Sequence, residues 1–221
     1  MSIKGVFKAE CPSCNERFDA DFWTVIRGDR DENLKEAIMS GEFDLLMCPS
    51  CSNVFPCEET FIYMDPEKEL LVFVMPESYL KEKEKWLEKM RLDYETLKGS
   101  CGEEGLFVFE PQYYFGAAPL AELLLRDRDM EEETEVMLFM AGQKGFKHSK
   151  ISSGFARRHD LPFFLPYAGP APDRDSALKA ARRLAADNDA LIRIKNLLKT
   201  LEELEGRELP FIRQAEAKTN R

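Results

Sequence analysis

Cys11-Pro12-Ser13-Cys14-Asn15-Glu16-Arg17-Phe18 and Cys48-Pro49-Ser50-Cys51-Ser52-Asn53-Val54-Phe55 share one pattern, C-P-S-C-x-x-x-F, which two segments of a chain rarely acquire by accident. In a C-P-x-C turn both sulfurs point inward and the following backbone N–H groups aim at them, while proline removes a donor and fixes the entry angle. Two such turns brought together place four thiolates in a tetrahedron, the coordination zinc prefers, with Zn–S distances of ~2.3 Å. Cys11, Cys14, Cys48 and Cys51 are therefore expected to hold one structural Zn²⁺ ion, with Phe18 and Phe55 covering the turns. Four sulfurs leave no position for a water molecule, so hydrolysis at the metal is not expected. They also leave a local charge of about −2, to be offset by backbone amides and by Arg17. Iron or another thiophilic metal is the alternative ion. A redox pair is the alternative chemistry, but it needs a C-x-x-C at a helix N-terminus, and strands are expected after both pairs. Cys57 reads as a small buried hydrophobe in mid-strand, and Cys101, in a Gly-rich linker, as an exposed thiol.

Other reactive residue types are sparse. His148 and His159 have no neighbouring Cys or carboxylate pattern that reads as a triad or a metal triad, and both are expected at the surface or at caps. Ser152-Ser153-Gly154 lacks the strand, elbow and flanking glycines of a hydrolase nucleophile. Gly142, Gly145 and Gly154 have the wrong spacing for a phosphate loop, and no Lys-Ser/Thr follows. Carboxylates at 58–59 and 131–133 read as solvated charge. No nucleophile and no open metal site is recognisable, so the reading leans away from catalysis.

The chain has 221 residues, 44% of them hydrophobic, and can bury a core. Residues 1–11 contain no apolar stretch resembling a signal peptide, and the longest apolar runs, 70–75 and 136–141, are six residues each. A cytoplasmic chain that does not enter a membrane is expected, and a reducing compartment favours metal binding over disulfides. The net charge of −10 disfavours general binding to nucleic acid or anionic lipid. That charge is unevenly spread: residues 1–143 carry 15 Lys+Arg against 31 Asp+Glu, whereas 144–199 carry 12 against 5.

Alternation predicts strands at 4–10 and 17–26, flanking the first cysteine pair, the second with Phe22 and Ile26 on one face and Trp23 and Val25 on the other. A helix at 31–40 has Asp31 as N-cap and Gly41 as its left-handed stop. Strands follow at 42–47, 54–64 and 69–75, the last two joined by a turn at Asp65-Pro66-Glu67-Lys68. Helical spacing runs from residue 77 or 78 to 98, then a linker at 99–105, a strand at 106–110 and an aromatic segment at 113–115. Helices are expected at 118–125 and 132–143, with Gly142 or Gly145 ending the second. Residues 147–172 read as irregular, being rich in proline. A last helix at 176–204, weakened at Asp187-Asn188-Asp189, carries Leu184, Leu191 and Leu198 seven apart, a stripe that packs on its own domain or forms a dimer seam.

These residues resemble the CpXC family, named for its two C-P-x-C motifs and found in bacteria and archaea. The resemblance covers about residues 10–77: both cysteine pairs, Trp23, the segments 34–36 and 41–43, and Tyr63-Met64-Asp65-Pro66-Glu67-Lys68. A fainter continuation runs over 118–140. It implies a zinc-ribbon-like module and no particular activity. The family usually has Gly directly after each pair; here Asn15 and Ser52 stand there, and Asn tolerates the left-handed conformation that Gly supplies.

The expected fold class is α+β: a zinc-ribbon-like antiparallel β domain with a capping helix at 1–98, and a mainly helical region at 99–221 packed on it, with a loose tail from about 207. The expected role is a zinc-structured binding or scaffold module whose partner is a protein or a second copy engaged through the C-terminal helix. Nucleic-acid binding through the basic stretch 144–199, with Lys144, Lys147, Lys150, Arg157 and Arg158 on phosphates, is the alternative. An enzyme with a cleft between the two halves is a further one.

Overall fold

The computed structural model describes residues 1–101, 109–204, 206 and 208–212, apart from the side chains of 97, 100 and 101. The fold is α+β, and the chain divides into two compact units, Met1–Leu125 and Arg126–Arg221.

The first unit is built on a sheet of five strands in the order β1-β2-β5-β6-β7. Strands β1 (Ile3–Glu10) and β2 (Arg17–Arg27) form an antiparallel hairpin, followed by helix α1 (Glu32–Ser40). A separate two-stranded ribbon, β3 (Leu45–Met47) with β4 (Val54–Pro56), comes next. The chain then re-enters the large sheet as β5 (Phe61–Asp65), parallel to β2, and turns back as β6 (Leu70–Met75), antiparallel to β5. The strand expected at 54–64 is thus two strands serving two sheets. Between β5 and β6 a 3₁₀ turn, Pro66–Lys68, is capped by the Asp65 carboxylate, which accepts the Lys68 amide at 3.1 Å. After a 3₁₀ turn at Glu77–Glu82, helix α2 (Lys83–Cys101) runs straight through Gly99, where a linker was expected. Strand β7 (Gln112–Phe115) lies parallel to β6 and holds the aromatic segment. The strand expected at 106–110, the linker beyond 101, the Cys101 thiol and the tail beyond 212 lie wholly or largely outside the described residues.

Every residue of β6 is buried, because this central strand has a core on each face. Leu70, Val72 and Val74 point to one side, where Phe22, Ile26, Ile38, Phe61 and Tyr63 meet Leu120 and Leu124 of helix α3 (Ala118–Gln143). Leu71, Phe73 and Met75 point to the other, against Met64 and the Met90 and Tyr94 of α2. Each such side chain contributes about 1.5–3 kcal/mol on leaving water. Trp23 packs at the margin of the first core, beside Phe22, rather than with Val25 on the second, as alternation had suggested. A register shift between Ile3 and Lys4 interrupts the alternation next to it. Asp31 precedes α1 but makes no side-chain cap; its carboxylate accepts the Ser2 amide at 3.1 Å and the Ser2 hydroxyl instead. Gly41 stops that helix at φ 74°, as expected.

Helix α3 is continuous where two helices and a charged gap were expected. In the second unit its Met130, Met137 and Ala141 join a core with residues of the later helices, of the last strand and of the connections between them. Residues 147–172, expected to be irregular, form strand β8 (Lys147–Lys150), helix α4 (Ser153–His159) and strand β9 (Phe164–Tyr167), the strands antiparallel. Helices α5 (Arg174–Asp187) and α6 (Ile192–Glu203) replace the single long helix, with the break at the expected Asp-Asn-Asp. Leu184 and Leu191 are buried in this core and Leu198 is packed against it, so the leucine stripe serves its own unit. Leu209 and Phe211 are also buried there, and Phe211 stacks on Phe155 at 4.8 Å, so the chain at 208–212 is docked rather than loose. Among the described residues, no helix is long and apolar enough to cross a membrane.

Candidate metal centre

Two hairpins of the first unit each carry one C-P-S-C turn at the tip. Strands β1 and β2 close on the pair Glu10 and Arg17, and β3 and β4 on Met47 and Val54, which occupy equivalent places in the repeat. The backbone of the two turns is also the same. The amide of Cys11 donates to the carbonyl of Glu16 and that of Asn15 to the carbonyl of Cys11, both at 2.9 Å. Cys48 to Asn53 and Ser52 to Cys48 repeat this, again at 2.9 Å. Asn15 and Ser52 both sit at φ 58°, the left-handed region, so each takes the conformation for which Gly would be the cheaper residue. Strands follow both pairs, leaving neither cysteine pair at a helix N-terminus.

The four sulfurs lie within 4.8 Å of one another, close enough to bind a metal ion. Across the turns, Cys11 Sγ stands 3.7 Å from Cys51 Sγ, and Cys14 Sγ 3.6 Å from Cys48 Sγ. A tetrahedron of sulfurs at ~2.3 Å from a central ion has edges of about 3.8 Å, close to these two cross-turn distances. The first cysteine of each pair is buried and the second exposed. Phe18 and Phe55 meet edge-on at 6.4 Å and, with Leu46 and Cys57, form the small apolar cluster around Cys11 and Cys48.

Burial raises the Cys11 thiol, but the amides of Cys14 and Ser13 and the sulfurs of Cys14 and Cys51 outweigh it and bring the group down to about 7. The Glu16 amide lowers Cys14, yet burial and the sulfurs of Cys51, Cys48 and Cys11 push it up to about 12. The Cys51 thiol is raised as well, so thiolates crowded together oppose one another's ionisation. A metal ion supplies the missing charge and lets all four ionise.

The four cysteines that the sequence pairs lie together, with Phe18 and Phe55 beside them. Arg17, expected to offset their charge, is instead held by Glu10 at the surface, Nε to Oε2 2.7 Å. Cys57 lies just past β4 and is half-buried; burial, then Glu59, Asp44 and Glu58, push its thiol up, so it is a poor nucleophile. Its amide donates to the carbonyl of Asp44 at 2.7 Å, a tie across the ribbon with no local signature in the sequence. His148 and His159 are exposed and lie in the second unit, against Phe164 and Phe155 respectively. Ser152 caps α4, accepting the Phe155 amide at 3.4 Å.

No curated protein and no solved structure matches the chain. The model of one family, described as CpXC protein, matches residues 9–135, from just before the first cysteine pair into helix α3. That span is more than half of the chain and contains the whole candidate metal centre, and the chain belongs to the CpXC family.

Proposed function

We propose that Cys11, Cys14, Cys48 and Cys51 hold one zinc ion whose role is structural, and that the protein works as a binding module rather than as a catalyst. The observation that carries the metal reading is the pair of matching turns whose four sulfurs lie within 4.8 Å of one another, two cross-turn pairs standing at 3.6 and 3.7 Å. The β3–β4 ribbon is only two short strands, too little to be stable in water alone. A shared ion ties it to the β1–β2 hairpin, and metal-binding energy becomes folding energy for both. With four protein ligands the ion has no position for a substrate or a water molecule.

A binding role is supported by what surrounds the site. Leu45, Met47 and Val54 are 45%, 66% and 57% exposed on the outward side of the ribbon, an apolar surface of the kind partners cover. Nucleic-acid binding draws less support, because two of its five expected phosphate ligands are already engaged. Arg157 is buried in a two-bonded pair with Asp127, and Lys144 is paired with Asp187.

The test is metal analysis with cobalt substitution. Purified protein is expected to hold one zinc per chain, and the cobalt form to show the intense visible and sulfur charge-transfer bands of a tetrahedral four-sulfur site, unchanged by added cyanide or azide. A cobalt spectrum shifted by those anions would reveal an open position and overturn the structural reading.

A further inference from the structure

We propose that the second unit has a binding groove for an acidic, amphipathic helical segment of a partner protein, laid along helix α5. The proposal rests on the binding-module reading but not on the metal, and the groove lies outside the residues that the family model matches.

The buried residues of α5 are Ala177, Leu178, Ala180, Ala181 and Leu184, with Leu178 at the boundary to the helix's outer face. That outer face lines a groove of about 880 Å³ that begins at Asp175, ends at Ala186, and is walled on one side by Lys144 and Phe146 from the turn after α3. At 1.5 Å per residue that stretch is about 16 Å long, three turns of an occupying helix. Leu178, Ala186 and Phe146 provide an apolar floor, while Lys144, Lys179, Arg182 and Arg183 bring four cations to its walls. Lys144 is paired with Asp187 and Arg182 with Glu202. Lys179 and Arg183 have no ion-pair partner within 4.0 Å among the described residues, though the charge of Arg183 also bears on Asp187.

An apolar floor between cations fits a ligand with leucine-like side chains on one stripe and carboxylates beside it. A nucleic-acid backbone fits less well. Asp175 lines one end of the groove, and Asp187 follows the residue at the other, so a continuous run of phosphates would meet a like charge at each end. A peptide can leave those two places neutral.

The probe is a fluorescent helical peptide with Leu at positions i, i+3, i+4 and i+7 and Glu elsewhere, titrated with the full chain at low salt beside three controls. The controls are the same peptide with Ser for Leu, one with Lys for Glu, and single-stranded RNA of equal length. The Glu/Leu peptide is expected to bind, and the Ser and Lys forms to bind about tenfold more weakly or not at all. The double variant K179E/R183E is expected to lower affinity about tenfold, and K199E, a charge reversal on α6, to leave it unchanged. The proposal is overturned if the Glu/Leu peptide does not bind, if the Ser form binds equally well, or if RNA binds more tightly and is lost in the double variant. Metal content is measured on the same samples. A normal zinc content without peptide binding sinks this proposal alone, whereas missing zinc sinks the reading of the cysteines and leaves the groove to be judged on the peptide.

Discussion

Asn15 and Ser52 hold the same left-handed backbone conformation, φ 58° in both, each one residue past its cysteine pair and each donating its amide to the carbonyl of that pair's first cysteine. An L-residue pays about 1–2 kcal/mol for that region, less for Asn, whose short amide suits it. Ser52→Gly should therefore stabilise the metal-loaded protein by about 1 kcal/mol, and Asn15→Gly by less. A β-branched residue is far worse there, so Ser52→Val should lower the thermal midpoint and weaken zinc retention. Calorimetry of the metal-loaded variants checks the order; a Ser52→Gly protein less stable than the parent contradicts it.

Asp127 and Arg157 form a bidentate pair at 2.7 and 2.6 Å inside the second unit, with side chains only 4% and 10% exposed. Removing one partner strands the other charge in the interior. Arg157→Met is expected to cost about 3–5 kcal/mol, and the double variant Asp127→Leu/Arg157→Met considerably less than the two single changes combined. Urea denaturation of the four proteins closes the cycle; additive losses would show that the pair is not coupled.

The buried Tyr63 ring lies directly against Gly28: a Cβ there would stand 1.9 Å from the Tyr63 hydroxyl oxygen and 2.4 Å from the ring carbon bearing it. Gly28→Ala must push a central core residue aside, at a cost of about 1–3 kcal/mol or more. Adding Tyr63→Phe should recover only part, because the ring carbon is still too close. Melting temperatures of the single and double variants report this, and an unchanged midpoint for Gly28→Ala would refute it.

Burial raises the Asp65 carboxyl, against the smaller opposing effects of the Lys68 amide and charge. The folded state therefore binds the proton more tightly than the unfolded chain. Stability from this group is fully present below the ordinary carboxylate pKa and is lost as pH rises through the raised folded value. Asn at this position can still accept the Lys68 amide and carries no charge to bury. Asp65→Asn should thus be more stable than the parent at neutral pH, with the difference shrinking to nothing in acid. Urea midpoints across a pH series test the sign; a variant that gains only at low pH would reverse it.

The clustering of the four cysteines was legible because its information is local: C-P-S-C fixes each turn, and repetition supplies the second. Gly41 as a helix stop and the break at Asp187-Asn188-Asp189 were legible for the same reason. What the sequence hid was long-range. The charged run in the middle of α3 reads as a gap, but Asp127 is matched by Arg157, and Glu133 by Arg193 at 2.7 Å, residues far along the chain. Prolines between 147 and 172 suggest irregular chain, yet Pro166 sits in β9 opposite His148, in a ribbon of only two strands where few amides must pair. The segment 54–64 is strand-like at its two ends and interrupted by Pro56, Glu58 and Glu59, and it is the tertiary structure that sends Phe55 to the cysteines and Phe61 to the main sheet.

A closed shell of four sulfurs around one zinc ion is the central claim. X-ray absorption at the zinc edge of the protein as purified should give four sulfur neighbours at about 2.3 Å and no lighter ligand. A first shell containing oxygen or nitrogen, or a protein that purifies folded with no metal, would contradict it.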